Sequence, residues 1–399
     1  MAARSGTGSG PDVWQNARPL PSHAPSGIRR ASASRMLNRL KLIAKQLLAI
    51  VWVRRAYEGT LRAVLEVLAA NRLFSLVYSV LSIPSFNREQ FAVLRGRRDY
   101  YRNLGRVRAT RTELRRNVHR LEKGILMQPR RPVFALDYLV ETIEFYERAT
   151  RQHADGADGD IGELTWAYGV LGSYFSIVDG ANPVVAGAKA RYEATRAQFN
   201  PDDNGKVPYR RADSAQSSAS YEDLLSLAQR RRSVRWFEQR PVPRELVDQA
   251  LLVGRQSPSA CNRLPYEFRI FDDPEMVKQV AAIPFGAAGY GHQVPTIAVV
   301  VGRLNHYFSP RDRHVIYVDS ALAAMPFMLA LETLGLASSV INWPDFEPLE
   351  AKMQKALNLD YDERVIMLIA IGYPDPEGLV AYSEKKSLDV IRRWNDLGG

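Results

Sequence analysis

The spacing of apolar residues changes along this chain and divides it. Between Arg35 and Ile83, Leu, Ile, Val and Trp recur at helical spacing with a Lys or Arg inserted every few positions. Lys45, Arg54, Arg55, Arg62, Glu66 and Arg72 interrupt every window that could approach the ~18 to 20 uninterrupted apolar residues of a spanning helix. Two readings stand: a helical hairpin packed on the rest of the protein, or basic amphipathic helices lying in an anionic membrane interface. Residues 88–124 continue in strongly basic helical pattern, and "HRLEKG" (119–124) reads as a helix ending at Gly124. "RRPVFALDYLVETIEFYERAT" (130–150) restarts a helix after Pro132, with Leu136, Leu139, Val140 and Ile143 as its apolar stripe.

Turn residues break the pattern at "ADGADGD" (154–160), which lacks the spaced oxygen ligands and closing Glu of a calcium loop. They return throughout 199–220, the best candidate for a domain boundary. Beyond it a helix from Tyr221 to about Arg230 leads into alternating elements. "YEFRIF", "TIAVVVG" (296–302) and "RVIMLIAIGYP" (364–374) read as strands with buried faces. "SALAAMPFMLALETLGL" (320–336) is apolar on all sides and reads as a central buried helix. The expected organisation is a disordered tail over 1–34, a helical basic region over 35–198, a linker over 199–220 and a folded domain over 221–399.

Charge sharpens this division. The 399 residues carry a formal charge of +11. Through Lys123 there are 24 Lys or Arg against 7 Asp or Glu, so the first third carries +17 and the remainder −6. An anionic membrane or polyanion would therefore meet the first third. No nucleic-acid module signature accompanies the basic and aromatic residues there, and no nucleic-acid partner is expected. A single cysteine, Cys261, excludes an internal disulfide framework and fits a reducing, cytoplasmic setting. No apolar run follows a basic start at Met1, so no signal peptide is read there. No metal site is expected, since no Cys/His cluster has ligand spacing.

The candidate chemistry lies after residue 220. "RRRSVRWF" (230–237) falls between two helices, where Arg231, Arg232 and Arg235 can converge on one phosphate with Ser233 donating a hydroxyl; the same residues can equally be a solvated face. "SPSACNRLPYEF" (257–268) places Ser259 and Asn262 on a loop before a strand. Asn262 offers a donor and an acceptor on one planar end, suited to the edge of a heteroaromatic ring, and Ser257, Ser259 and Ala260 are small enough to let a flat ring approach. Ordinary cap and turn roles remain open for them. Lys385, Lys386 and Ser387 precede a late helix start, which again suits a phosphate. His292, in "GYGHQVP", titrates in the range of a proton donor, yet a polar loop role accounts for it as well.

Taken in order, "RRSVR", "SPSACNRLPYEF", "VDSALAAMPFMLALETLGLASSVINW" (318–343), "AIGYP" (370–374) and "KKS" (385–387) resemble the nitroreductase family of FMN-dependent oxidoreductases. The resemblance covers about 180 residues; upstream, only "HRLEKG" resembles a segment found in some long members. It implies an α+β fold, a three-layer sandwich around a central mixed sheet, in an intertwined homodimer with FMN at the interface. It implies that Arg231, Ser233 and Arg235 hold the phosphate and ribityl side, with Arg232 added by the reading of the residues. Asn262, with Ser259 beside it, would meet the ring edge, and Lys386 or Lys385 would close on the phosphate. Backbone groups around "INWPDFEP" (341–348) would approach N5. Leu264 departs from the pattern, standing where many members carry Gln. The implied activity is NAD(P)H-linked hydride transfer through FMN to an electron-poor or quinone-like small organic acceptor, with no catalytic side chain required. The alternative is a non-catalytic flavin-binding or interaction protein at a membrane-associated biosynthetic assembly. The expected location is the cytoplasm, free or held peripherally at the membrane.

Overall fold

Two strands of this protein are apolar on both faces, and the layers are built around them. A computed structural model describes residues 46–47, 50–81, 83–103, 112–156, 160–202 and 205–397; the tail read over 1–34 lies outside the described residues. The chain divides into two compact units, Met1–Leu81 and Ser82–Gly399. In the first, helices α1 (Val51–Ala69) and α2 (Arg72–Leu81) follow one another across a two-residue turn. Asn71 Oδ1 accepts from the Phe74 amide at 3.0 Å and so caps the second helix.

The second unit continues with α3 (Ile83–Arg102), α4 (Thr112–Ile125), α5 (Leu139–Ala154), α6 (Ile161–Ile177) and α7 (Pro183–Arg196). Helices α4 to α7 bury their own core of Leu114, Leu121, Leu139, Ile143, Tyr146, Leu171 and Tyr192. Two local expectations are corrected here. Gly124 does not end a helix, since α4 runs on to Ile125; it is glycine because the Phe134 ring occupies the space a Cβ would need. Helix α5 begins at Leu139 rather than after Pro132, leaving Leu136 and Val140 exposed while Leu139, Ile143 and Tyr146 face inward.

Beyond the 199–220 segment come α8 (Tyr221–Arg230), α9 (Arg244–Gly254), β1 (Tyr266–Phe271), α10 (Pro274–Ala281), β2 (Thr296–Arg303), α11 (Val315–Thr333), β3 (Ala337–Asn342), α12 (Glu347–Leu357), β4 (Glu363–Gly372) and α13 (Leu388–Ile391). A capping box fixes the start of α8: Ser220 accepts from the Asp223 amide while Asp223 accepts from the Ser220 amide. The sheet has the order β1-β2-β4-β3 with antiparallel pairing throughout. A mixed sheet was expected, and the parallel component is a one-residue bridge between Ser233 and Ser338.

Alternation along β2 assigns the layers. Ile297, Val299 and Val301 enter one core with Val277, Met353 and Leu368, under α10 and α12. Ala298 and Val300 enter the other with Ala250, Phe327, Leu331 and Ile369, under α9 and α11. The pairing of β2 with β4 shifts between Val300 and Val301, which face Met367 and Val365 respectively. The extra residue in β4 reverses its alternation, so Val365 and Leu368 share a core although three positions apart.

Helix α3, sequentially part of the basic helical region, adds Ala92 to the second core. Its backbone comes so close to Leu304 that a Cβ on Gly96 would lie 2.7 Å from the Leu304 Cβ. Helix α11 departs from the expectation of burial on all sides. Ile316, Ala323, Phe327 and Leu331 face the core, whereas Val318, Leu322 and Met325 are exposed. Residues 310–333 have the length and apolarity of a membrane span, and half of that stretch is buried inside the fold. This accounts for their composition as that of a core helix.

Asp362, next to the Leu304 turn, is only 2% exposed, and burial pushes its carboxyl up to about 6. The folded chain therefore holds this proton more tightly than the unfolded chain, so stability falls as pH rises from about 4 to about 6 and is level above that. The cost of the buried charge approaches about 3 kcal/mol. Urea unfolding across this range is expected to show the slope in the parent and a flatter profile in Asp362→Asn, which is the more stable of the two at pH above 7. Parallel profiles would contradict the assignment.

Candidate functional site

The Arg231 to Arg235 run leaves α8 in extended backbone. Arg231 caps the helix, its amide donating to Leu227 O, and has ψ 118°. Val234 N then donates to Ser338 O at 3.1 Å, laying Ser233 beside the start of β3. Arg231 Nε is buried without a hydrogen-bond partner, and so are the hydroxyls of Ser338 and Ser339. Such groups are costly to leave unpaired, and Ser338 and Ser339, consecutive on β3, present theirs to opposite faces of the sheet. Arg235 is exposed with its guanidinium 5.9 Å from the Tyr290 ring centroid, and its carbonyl accepts from Gln293 Nε2.

Arg232 and Lys385 line one recess of about 250 Å³ with Gln229 and Tyr382. The Arg232 guanidinium stands 6.0 Å from the Tyr382 ring centroid. Lys386 is exposed at the head of the α13 segment, outside the residues lining that recess. Candidate cations from the two ends of the domain thus gather near the C-terminal end of α11, to which Arg230 is tied by a 3.0 Å ion pair with Glu332.

Ser259 and Asn262 lie elsewhere. Their loop bears Cys261, Asn262 and Leu264 at φ of 54°, 52° and 48°, left-handed conformations that non-glycine residues adopt at a cost. The surroundings hold it there. Ser259 Oγ accepts from Leu264 N at 3.1 Å, Ser259 O accepts from Asn262 N at 2.9 Å, and Asp319 of α11 accepts from Ala260 N at 3.0 Å. Tyr307 also donates to Asp319, at 3.3 Å. Arg263, buried beneath the loop, donates to Ala260 O at 3.4 Å and lies 5.0 Å from the Tyr307 ring centroid. Burial raises the Asp319 carboxyl above its usual range against the opposing effects of the Ala260 amide, the Tyr307 hydroxyl and Arg263. The side-chain amide of Asn262 has no hydrogen-bond partner among the described residues and stays free to meet a ligand.

The site residues therefore form two groups. Asp319 anchors one and Glu332 the other, thirteen positions apart on α11, or about 20 Å along the helix axis. Helix α11 exposes Val318, Leu322 and Met325, and α9, which packs on α11, exposes Leu252 and Val253. His292 lies with neither group, exposed on a turn with its ring edge toward Trp236. His119 is paired with Glu122 at 3.2 Å on α4.

The nitroreductase family profile matches residues 228–287 and 282–373, which contain the Arg231–Arg235 run, the Asn262 loop and α11. An Archaeoglobus fulgidus protein named as an NADH dehydrogenase/NAD(P)H nitroreductase is 30% identical over 165 residues, 39% of this chain and 88% of the relative. The chain belongs to the nitroreductase family. It is an oxidoreductase of that type. Human iodotyrosine deiodinase 1 is 22% identical over 198 residues, covering 43% of this chain and 68% of that one. An FMN-dependent nitroreductase of Clostridium difficile aligns with a TM-score of 0.38 and 21% identity, over 43% of this chain and 99% of its own.

Within the nitroreductase region, sequence reasoning missed Asp319, Arg263 and Tyr307, which shape the Asn262 loop from below. One signal was available: Asp319 is a carboxylate set in the apolar first half of α11, and a carboxylate so placed is seldom buried without partners. Asp319→Ala strands the Ala260 amide, the Tyr307 hydroxyl and the Arg263 charge together. A stability loss of about 2 to 4 kcal/mol is expected in urea unfolding. Hydrogen exchange over 257–264 is expected to speed up, and unchanged protection there would remove Asp319 from its role as anchor of the loop.

Proposed function

We propose that this nitroreductase-family protein binds FMN and transfers hydride from NAD(P)H to an electron-poor or quinone-like small organic acceptor, at a site completed by a second copy of the chain. One observation carries the proposal: the phosphate-suited cluster and the ring-edge loop sit at opposite ends of α11, with an uncovered apolar face between them. A two-fold pairing through that face brings the Arg231 cluster of one copy toward the Asn262 loop of the other. The residues fit the cofactor in kind. Arg231 with its unpartnered Nε, and Arg232 with Lys385 around one recess, suit a phosphate. Asn262, its amide unpaired and its backbone held by Ser259 and Asp319, suits the polar rim of a flat ring.

When bound, FMN supplies the redox chemistry, with hydride entering and leaving at N5. The chain's part is to neutralise the phosphate, orient the ring and exclude water. The cluster at Arg231 supplies fixed positive charge. The loop at Asn262 supplies geometry, because Asp319, Tyr307 and Arg263 lock it before any ligand arrives. No side-chain nucleophile is needed. Leu264 keeps its backbone in the loop but brings no amide, leaving that rim more apolar than a Gln would and favouring an apolar acceptor.

The purified protein is expected to be yellow, to oxidise NAD(P)H only with a quinone or nitroaromatic acceptor, and to be a dimer. Arg231→Ala combined with Lys385→Ala is expected to weaken FMN binding by several kcal/mol, each charge-assisted contact being worth roughly 1.5 to 3 kcal/mol. Leu322→Glu is expected to give a monomer that releases FMN, read by light scattering together with flavin fluorescence. A monomer holding stoichiometric FMN would place the site within one chain. Absence of flavin absorbance, with no gain on adding FMN, would reject the cofactor.

A further inference from the structure

We propose that residues 50–81 are a docking surface for the face of an anionic lipid bilayer, with α1 and α2 lying in the plane of the headgroups. None of this is needed for the redox site, and the proposal stands apart from that reading. Helix α1 contains no buried residue. At 100° per residue, Val53, Tyr57, Leu61, Val64 and Leu68 occupy one arc of α1, and Arg54, Arg55, Glu58, Arg62 and Glu66 occupy an adjoining one centred about 120° away. Helix α2 has a still larger apolar excess, broken by Ser75 and Ser79, and leaves Leu73, Leu76 and Val80 each more than 60% exposed. Trp52, 72% exposed, and Tyr57 and Tyr78 are aromatic residues of the kind that settle at headgroup depth.

An apolar surface of this extent on adjoining helices is normally covered. The charge that accompanies it selects the cover. Residues 50–81 contain four Lys or Arg and two Asp or Glu. A second copy of the same hairpin would bring two net-positive surfaces together, whereas an anionic leaflet attracts each nearby Lys or Arg by about 1 kcal/mol and accepts the apolar arc beneath the headgroups. Insertion across the bilayer is disfavoured, because the charged residues of α1 recur every few positions along its length. The pattern is that of a reversible surface anchor, which would concentrate the enzyme where apolar acceptors partition.

The full-length protein can be tested by flotation with phosphatidylcholine vesicles, alone or with about one-third phosphatidylglycerol. The expected result is flotation with the anionic vesicles only, reversed by high salt. Leu76→Glu with Val80→Glu, and separately Arg54→Glu with Arg55→Glu, are each expected to reduce flotation roughly tenfold or more. The thermal unfolding of the Ser82–Gly399 unit serves as the folding control and should not move. Failure to float, equal flotation on phosphatidylcholine alone, or full flotation of both paired variants would overturn the proposal. A change of oligomeric state in the Leu76→Glu, Val80→Glu variant without any lipid-dependent flotation would also overturn it, and would assign the surface to a second copy.

Discussion

Strands β2 and β4 hold apolar side chains on both faces, and neither face can be left to water. Every other placement in the sheet region answers to that constraint. Ile297, Val299 and Val301 require α10 and α12 on one side, and Ala298 and Val300 require α9 and α11 on the other. Helix α11 must run along the sheet to cover Ile366, Ile369 and Ile371, and in doing so it spans the domain. Its residues near Asp319 reach the 259–264 loop, while those near Glu332 reach the end of α8. The two halves of the candidate site are thus set apart by the length of the helix that the sheet needs. The proposed pairing with a second copy rests on that separation.

Buried polar groups then decide the local shapes. The Ser259 loop would not hold three left-handed non-glycine residues by itself. It does so because Asp319 accepts from Ala260 and because Arg263 and Tyr307 fill the space below. Rigidity imposed from beneath leaves the upper edge, where Asn262 lies, free of internal partners. At the other end, the bridge of Ser233 to Ser338 fixes the backbone and leaves Arg231 Nε and two hydroxyls unpaired. In both places the fold satisfies the main chain while side-chain donors have no partner among the described residues.

The helical regions around this domain are of two kinds. Helices α4 to α7 bury a core of their own, and α3 fits against the Leu304 turn through Ala92 and Gly96, so both belong to the folded body. Helices α1 and α2 bury almost nothing and keep their apolar arcs in the open. The same basic, Leu-rich composition therefore serves packing in one place and an external surface in the other. Composition alone does not distinguish them.

Much was legible in the chain itself, because the signals are local. The two-sided apolar runs of β2 and β4 are contiguous, and "YEFRIF" is β1 from end to end. The start of α8 follows from Ser220 and Asp223, three residues apart, and the order of five short motifs is enough for the family. Other features depend on partners far away in sequence. The role of Asp319 rests on residues 59 positions before it and 12 positions before it, Ala260 and Tyr307. Gly124 is glycine because of Phe134, and the exposed side of α11 exists because the sheet covers only one flank of a helix that is apolar all round. Periodicity and capping are properties of consecutive residues, so the sequence by itself determined the elements and the kinds of chemistry they carry. Which apolar flank is covered, which donors are left unpaired and how far apart the two groups of site residues lie depend on long-range packing, and only the tertiary structure decided them.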